Sequence, residues 1–259
     1  MKKITLSALL LAASMLAFFS CSKEQAVPTT TTTSEVDYQK VKNDIRQSWE
    51  TIRNVQGIKD IDLETRAGQF IVVPAGSTNA LVKAIADAGE GGIVYLKSGL
   101  HTETSGITIK QRVVLIGEDG AILKIQAPLT PYDANGILTL KPGIHFFNAP
   151  RSLVQNIDIQ PIDPNGGEAL LFENSDQSGV MFNKTANFQF SFIVEKSNQM
   201  TIMGNKLVSN TLWQTDPLIE CDAILNINGL STYIANNEMS NALSGHSPLI
   251  GMALLPTIP

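Results

Sequence analysis

The sequence predicts a parallel β-helix, an all-β solenoid in which short parallel strands stack coil upon coil. Three observations predict this fold class: short apolar segments that end at glycine, a recurring word that ends in asparagine and a charge, and intervals of roughly 20–35 residues between the copies of that word. An antiparallel sandwich would explain the strands but not the repeated asparagine. The chain has 259 residues, 43% of them hydrophobic, which is enough for a substantial core.

The N-terminus has the features of an export signal. Two lysines precede an apolar run, residues 4–19, which is too short to span a bilayer comfortably. The run ends at Ser20 and Cys21, and this arrangement resembles a bacterial lipoprotein signal peptide, whose cysteine receives a lipid. We therefore predict a signal peptide over residues 1–20, lipidation of Cys21, and a place in the cell envelope, on the outer membrane or the cell surface.

A tether and a helix are predicted next. Residues 21–35 are rich in threonine and low in complexity, so they are expected to form a lipid-anchored flexible tether rather than a core. Residues 36–66 are predicted to be an amphipathic helical segment, because apolar residues follow helical spacing between charges. The segment is expected to pack against the body, and a coiled-coil stalk is the alternative, although the pattern covers barely two heptads. The apolar residues are Val41, Ile45, Trp49, Ile52 and Val55.

The β-helix itself is predicted over residues 67–259. A helical segment, residues 79–88, precedes the buried strand 91–96, and two more strands follow at residues 106–109 and 113–117. These segments resemble the entry of the pectin-lyase-like superfamily, which implies a right-handed parallel β-helix with an N-terminal capping helix. The resemblance is specific over residues 70–125 and continues beyond them as a repeat pattern.

The repeated word consists of an aliphatic residue, two further residues, an asparagine and a charge. The leading aliphatic residues, expected to stack inside the coils, are Val180, Ile202 and Ile234. Asparagine tolerates the left-handed backbone of tight turns and can bond to the next coil, so the asparagines are expected at equivalent corners. They are Asn183, Asn205 and Asn237. A related word has Gly117 in the asparagine position, and another has Asn156 one position early.

The C-terminal part of the chain carries two further expectations. It ends in apolar residues without a polar capping element, so the β-helix is expected either to be incomplete at its C-terminus or to be sealed there by a partner. With Cys21 lipidated, Cys221 is the remaining thiol, and the fold is held without an internal disulfide. Cys221 lies in an apolar run and is expected to behave as a small buried hydrophobe.

Charge limits the partners. The formal net charge of −5 argues against nucleic acid and against an anionic membrane surface, so membrane attachment is expected through the lipid alone. A polysaccharide remains as the expected partner. An acidic polysaccharide fits only where a local basic patch or a bound cation supplies the attraction.

Three chemistries are common on this fold, and none has a clear signature here. Hydrolysis needs paired carboxylates, and segments 214–216 and 245–247 match the family's motifs only in part. For β-elimination a lysine can be the base, but Lys184 and Lys206 hold equivalent positions in two words and are expected to face solvent. A metal site is not assigned with confidence, because the three histidines, His101, His145 and His246, are far apart in sequence.

The candidate binding residues cluster late in the chain. Asp216, Glu220 and Asp222 form the densest acidic group in the coil region, and alternation places the last two outside if Cys221 is inside. Such acidic groups lie in the substrate cleft of similar β-helix proteins, but a solvated turn is the favoured explanation of this group. An aromatic beside carboxylates is a common sugar platform, so the predicted substrate-binding residues are Trp213, Asp216, Glu220, Asp222 and His246.

Two functions stay open at this point. The first is an exported cell-envelope lipoprotein that binds a polysaccharide on its β-helix face. The second is a polysaccharide lyase or glycoside hydrolase acting on a uronate-containing glycan, with the lyase favoured. Missing catalytic motifs favour the first, and the usual occupants of the fold favour the second, although fold is weak evidence of function. Calcium is the candidate cofactor, because it would bridge acidic sugars to carboxylates.

Overall fold

The computed structural model describes residues 36–58, 68–130, 139–216 and 221–241. From Gln39 onward the chain forms one compact unit, and of the preceding unit, Met1–Tyr38, residues 36–38 are described. The predictions for the signal peptide, for Cys21, for the tether and for the C-terminal end therefore lie outside the described residues. No described helix is long and apolar enough to cross a membrane.

The strands form three faces, and all their pairings are parallel. Face A contains β1 (Phe70–Val73), β2 (Gly92–Leu96), β5 (Val113–Gly117), β8 (Leu153–Gln155), β11 (Gly179–Met181), β13 (Thr201–Met203) and β16 (Tyr233–Ala235). Face B contains β3 (Gly99–Glu103), β6 (Ala121–Ile125), β9 (Asp158–Pro161), β14 (Lys206–Ser209) and β17 (Glu238–Ser240). Face C contains β4 (Ile107–Ile109), β7 (Ile144–Phe147), β10 (Gly166–Glu173) and β15 (Asp222–Ile227). Strand β12 (Lys184–Glu195) runs along face B and continues into face C.

The chain visits the faces in the order A, B, C and then A again, one coil further on. This order, with parallel pairing throughout, confirms the predicted parallel β-helix. Connections between parallel strands of one sheet are right-handed in nearly all proteins, because a right-twisted strand packs back on its sheet in that hand. The fold is therefore a right-handed parallel β-helix.

Aliphatic side chains stack inside the coils of face A. Strand register places Leu115, Val154, Val180 and Ile202 on successive coils, and all four are buried. The prediction for Val180 and Ile202 is confirmed. Ile234 holds the next position in register, but it is 38% exposed, so the prediction that it stacks inside is wrong. It lies on β16, the last described strand of face A, and no described strand of that face covers its far side.

The ladder of asparagines at the corner between faces A and B is confirmed. Asn183 Oδ1 accepts from the backbone N–H of Ile157, Asn205 Oδ1 from that of Asn183, and Asn237 Oδ1 from that of Asn205. Each ladder side chain thus satisfies a backbone donor of the coil before it, which would otherwise be buried without a partner. Lys184 and Lys206, directly after the ladder, are exposed and paired in register, as predicted.

The left-handed backbone at this corner lies one residue earlier than predicted. The residues before the ladder asparagines have positive φ, with Phe182 at 59°, Gly204 at 69° and Asn236 at 55°. The chain turns at the residue with positive φ. The side chain of the following asparagine can then point inward and form hydrogen bonds to the neighbouring coil. Asparagine is therefore selected at the ladder position for its side chain rather than for its backbone.

Strand register also shows that the predicted alignment of the word containing Gly117 is wrong by one residue. Leu115, not Val114, is aligned with Val154, so Glu118 takes the ladder position. Its role matches that of the asparagines, because Oε2 accepts from the backbone N–H of Ser98 at 2.8 Å and Oε1 from Lys97 Nζ at 3.0 Å. These bonds, with the bond to Ser98 first, lower the pKa of Glu118.

The short helix α2 (Leu81–Ala88) closes the N-terminal end of the core. It is amphipathic, and one side, Leu81, Ala84, Ile85 and Ala88, is buried in the core. Glu103 from β3 accepts the backbone N–H of Leu81 at 2.9 Å, so a carboxylate from the coil takes up an unpaired donor at the helix start. This is the capping helix that the sequence predicted.

The first helix, α1 (Tyr38–Gln56), packs on the outer surface of face A. Val41, Ile45, Trp49 and Ile52 are buried, and Ser48 Oγ donates to Gln155 Oε1 at 2.8 Å. A Cβ on Gly179 would lie 2.5 Å from Cδ1 of Ile52, so this glycine allows the close approach. Strands of face A are consequently covered on both sides, by the core within and by the helix outside.

Candidate functional site

The predicted binding residues are only partly brought together. Trp213 belongs to a short 3-10 helix, Leu212–Gln214, and its side chain lies outside the described residues, as do Glu220 and His246. Asp216 is half-buried. Asp222 is 4% exposed, so the prediction that its side chain faces solvent is wrong. Cys221 is buried as predicted, with its thiol 2.9 Å from Asn210 Oδ1.

Asp222 is buried because the strand does not alternate simply at this corner. Residues Glu168, Phe190 and Asp222 are aligned on three neighbouring strands, and the next aligned set includes Ala169 and Ala223, which belong to the core. Glu168 is itself fully buried and accepts from Thr130 Oγ1 and from the backbone N–H of Lys141. Burial raises the pKa of Glu168. This row is closed to a polymer.

An accessible group of side chains lies instead on the outer surface of face C, and we call it the face C cluster. It consists of Lys110, His145, Phe147, Glu173, Glu195 and Lys196. Strand register makes Phe147 the partner of Glu173, and Glu173 the partner of Glu195. Aligned residues of parallel strands point the same way, and neighbouring strands are about 4.8 Å apart. One aromatic ring and two carboxylates therefore form a column across three coils.

His145 and Glu173 form the central polar pair of the cluster. The imidazole Nε2 lies 3.0 Å from Glu173 Oε2, and both side chains are 22% exposed. When Nε2–H donates to the carboxylate, the neutral ring keeps Nδ1 as its acceptor. Phe147 contacts the imidazole edge-on, with 5.5 Å between ring centroids. The ring of His145 is thus held from two sides, and it retains one nitrogen that can take a proton.

Two lysines belong to the cluster, one beside a carboxylate and one beside the aromatic ring. Lys196 Nζ lies 2.7 Å from Glu195 Oε1, and this hydrogen bond and charge, helped by the charge of Glu173, raise the pKa of Lys196. Lys110 Nζ lies 6.0 Å from the centroid of the Phe147 ring, a distance that permits a cation–π contact. The cluster therefore offers groups of both signs and an aromatic surface within one patch.

The face C cluster was not predicted from the sequence, although the sequence contains a signal for it. Glu173 and Glu195 each end an apolar strand and precede a serine by two positions, at Ser175 and Ser197. The backbone N–H of Ser175 donates to Ser197 Oγ at 2.8 Å, so the serines form a second ladder at the edge of face C. The repeated Glu-x-Ser segment identifies the corner at the edge of face C. The repeated asparagine word identifies the corner between faces A and B in the same way.

The wide separation of the histidines along the sequence predicts no metal site. His101 is buried, with Nε2 2.7 Å from the backbone oxygen of Lys97, while His145 lies in the face C cluster. Within the part of the chain that the structure describes, no group of three or more His, Cys, Asp or Glu residues is arranged to hold a metal ion.

Comparisons with known proteins give distant likenesses. No protein-family profile and no curated protein matches the chain. An alginate lyase of the PL6 family, AlyGC, is 11% identical, with a TM-score of 0.37, over 72% of this chain and 39% of that one. The pectin methylesterase PemA from Erwinia chrysanthemi is 10% identical, with a TM-score of 0.26, over 68% of this chain and 91% of that one. The chain thus spans well under half of the length of the alginate lyase that it resembles.

Proposed function

We propose that the face C cluster binds a polysaccharide chain that runs across successive coils. The column of Phe147, Glu173 and Glu195 carries this proposal. A polymer that crosses the strands meets a ring on which sugar C–H groups can pack and then two carboxylates that accept hydrogen bonds from sugar hydroxyls. The strand spacing of about 4.8 Å is close to the length of one sugar unit, so adjacent units can use adjacent coils.

The charges of the face C cluster predict different binding for neutral polysaccharides and for uronate polymers. Glu173 and Glu195 suit a neutral polysaccharide, whose hydroxyls donate to them. A uronate polymer is repelled by the same carboxylates unless Lys110 and Lys196, or a bridging calcium ion, offset the charge. Removal of calcium is therefore expected to weaken binding to uronate polymers and to leave binding to neutral ones unchanged.

The test mixes the purified protein with pectins, alginates, glycosaminoglycans and neutral glycans in affinity electrophoresis, with and without calcium. Retardation on at least one polymer is expected, and Phe147→Ala and Glu195→Gln should each reduce it about tenfold or more. Glu238→Gln is the matched control, because Glu238 forms a similar exposed ion pair, with Lys206 at 3.1 Å, on face B. No retardation on any polymer, or an equal loss in the control, would refute the proposal.

A uronate lyase is the second candidate, and the His145–Glu173 pair favours it. In β-elimination a base removes the proton on the carbon beside the sugar carboxylate, and a carbon–carbon double bond forms as the bond to the neighbouring sugar oxygen breaks. That oxygen leaves with the electron pair and takes a proton from water, which gives a free hydroxyl group. His145 Nδ1 can take the proton, while Glu173 holds the ring. Lysines at the edges of the cluster can offset the charge of the sugar carboxylate.

Catalysis is tested by ultraviolet absorbance, which detects the unsaturated product of a lyase, and by assay of new reducing ends, which detects a hydrolase as well. Loss of the absorbance signal in His145→Ala, with polymer retardation retained, would support the lyase. Retardation without either signal leaves a binding protein, which is the function we propose first. We also propose that the protein is exported and lipid-anchored at the cell envelope, where such polymers are met.

The binding residues that were predicted from the sequence do not belong to the face C cluster. Contacts from Trp213, Asp216, Glu220 and His246 to the same polymer stay a prediction, and Trp213→Ala in the retardation assay measures one of them.

A further inference from the structure

A cleft lies between helix α1 and the edge of face A. Its volume is about 200 Å³, and it is lined by Asp44, Gln47, Ser48, Thr51, Gln155, Met181 and Phe182. None of these residues belongs to the face C cluster. The cleft therefore needs an explanation of its own.

Phe182 is the unusual residue of this cleft. Its φ is 59°, in the left-handed region, and its side chain is 48% exposed. The same corner is occupied on neighbouring coils by Asn156, Gly204 and Asn236, all of residue types that tolerate this conformation. A phenylalanine here costs backbone strain and exposes an aromatic ring, so neither local conformation nor burial explains its presence.

The next coil makes room for the ring. A Cβ on Gly204 would lie 2.6 Å from Cδ1 of Phe182, so the ring rests where a side chain at position 204 would be. Phe182 is thus held against the coil surface in a fixed orientation. An exposed ring that is held in place can serve as a platform for a flat, partly apolar ligand.

Polar groups from the helix face the same space. Asp44, Gln47 and Thr51 are spaced three and four residues apart, which puts them on one side of the helix. Thr51 Oγ1 donates to the backbone oxygen of Gln47 at 2.9 Å and so keeps its lone pairs for a ligand donor. Beneath them, the buried bond from Ser48 Oγ to Gln155 Oε1 fixes the helix to the sheet.

We propose that this cleft binds one neutral sugar residue, independently of the face C cluster. The C–H face of the pyranose ring stacks on Phe182, and its hydroxyls donate to Asp44 and bond to Gln47. The volume corresponds to about seven waters at ~30 Å³ each, which suits a single ring rather than a chain. The described lining includes Asp44 and no cation, so an acidic sugar is disfavoured.

Saturation-transfer NMR of the full chain tests the proposal with methyl glycosides of glucose, galactose and mannose, and with glucuronic acid. At least one neutral glycoside should give a signal, and glucuronic acid should give a signal at least fivefold weaker. Phe182→Asn should abolish the neutral signal, and Asp44→Asn should reduce it severalfold. Asn54→Ala, at an exposed position of the same helix, is the matched control and should leave it unchanged.

Thermal unfolding of Phe182→Asn distinguishes a functional residue from a structural one. Asparagine already occupies this corner at Asn156 and Asn236, so the variant should unfold at a Tm about 2–4 °C higher than wild type. Phe147→Ala, in the other cluster, should leave glycoside binding intact. A lower Tm in Phe182→Asn, binding that survives that change, or no signal from any neutral glycoside would overturn the proposal.

Discussion

The backbone N–H of Asn183 donates to Oδ1 of Asn205 over 2.8 Å, although the two residues are 22 positions apart. Asn205 makes the same bond to Asn237 of the next coil, so a single side chain type joins consecutive coils at one corner. Because these bonds satisfy buried backbone donors, the ladder fixes the register of the stack as well as its stability.

The first prediction concerns the middle of this ladder. Asn205→Ala removes the acceptor of the Asn183 N–H, so the free energy of unfolding should fall by about 3 kcal/mol, the cost of a buried donor without a partner plus lost bonds. Asn237→Ala, at a half-buried position, should cost about 1 kcal/mol. Urea unfolding measures both values, and equal costs would show that the ladder does not depend on burial.

The second prediction concerns the aliphatic stack. Ile202→Ala leaves a cavity in a fully buried position and should cost about 2–5 kcal/mol of unfolding free energy. Ile234→Ala should cost clearly less, because Ile234 is 38% exposed. Lys206→Ala is the control, since its exposed ion pair with Glu238 contributes about 1 kcal/mol at most. A small loss for Ile202→Ala would contradict the core assignment.

The third prediction concerns pH. Burial raises the pKa of Glu168 above its ordinary value of 4.5, so the folded state holds the proton more tightly than the unfolded state. The contribution of Glu168 to stability is therefore full below pH 4.5 and is lost as pH rises through the folded pKa.

Glu168→Gln removes this titration, and its carboxamide can still bond to Thr130 and to the Lys141 N–H. The unfolding free energy of wild type minus that of the variant should decrease from acid to neutral pH, by about 1.4 kcal/mol per unit of pKa shift. Urea unfolding from pH 4 to pH 8 tests this. Glu238→Gln, at an exposed position, should show no such trend, and a flat difference for Glu168→Gln would refute the assignment.

The fourth prediction concerns Cys21, which lies outside the described residues. The protein should partition with membranes and incorporate a fatty-acid analogue, because an apolar run followed by Ser20 and Cys21 resembles a lipoprotein signal. Cys21→Ser should abolish the label, whereas Cys221→Ser should retain it. An unlabelled wild-type protein would show that the N-terminus is an ordinary export signal.

The fold class is predictable from the sequence alone. Each coil is a local unit that must bury an aliphatic residue and turn a corner, so Val180 and Ile202, with Asn183 and Asn205, repeat this requirement in a readable pattern. The helix from Val41 to Ile52 is equally predictable, because its apolar side follows from apolar residues spaced three and four positions apart along the chain.

Which residues contact one another across coils depends on the stacking of the whole chain. His145 and Glu173 are 28 positions apart. Aligned residues on successive strands of face C are 26 residues apart for Phe147 and Glu173 but 22 apart for Glu173 and Glu195, so counting a constant repeat along the chain does not align them. The stacking of whole coils sets the strand register. In the observed register Glu118, rather than Gly117, occupies the ladder position. Burial of Asp222 follows from an irregular corner of the sheet, where strict alternation of side chains fails. A one-dimensional pattern specifies each coil, but the contacts between coils are a property of the assembled stack.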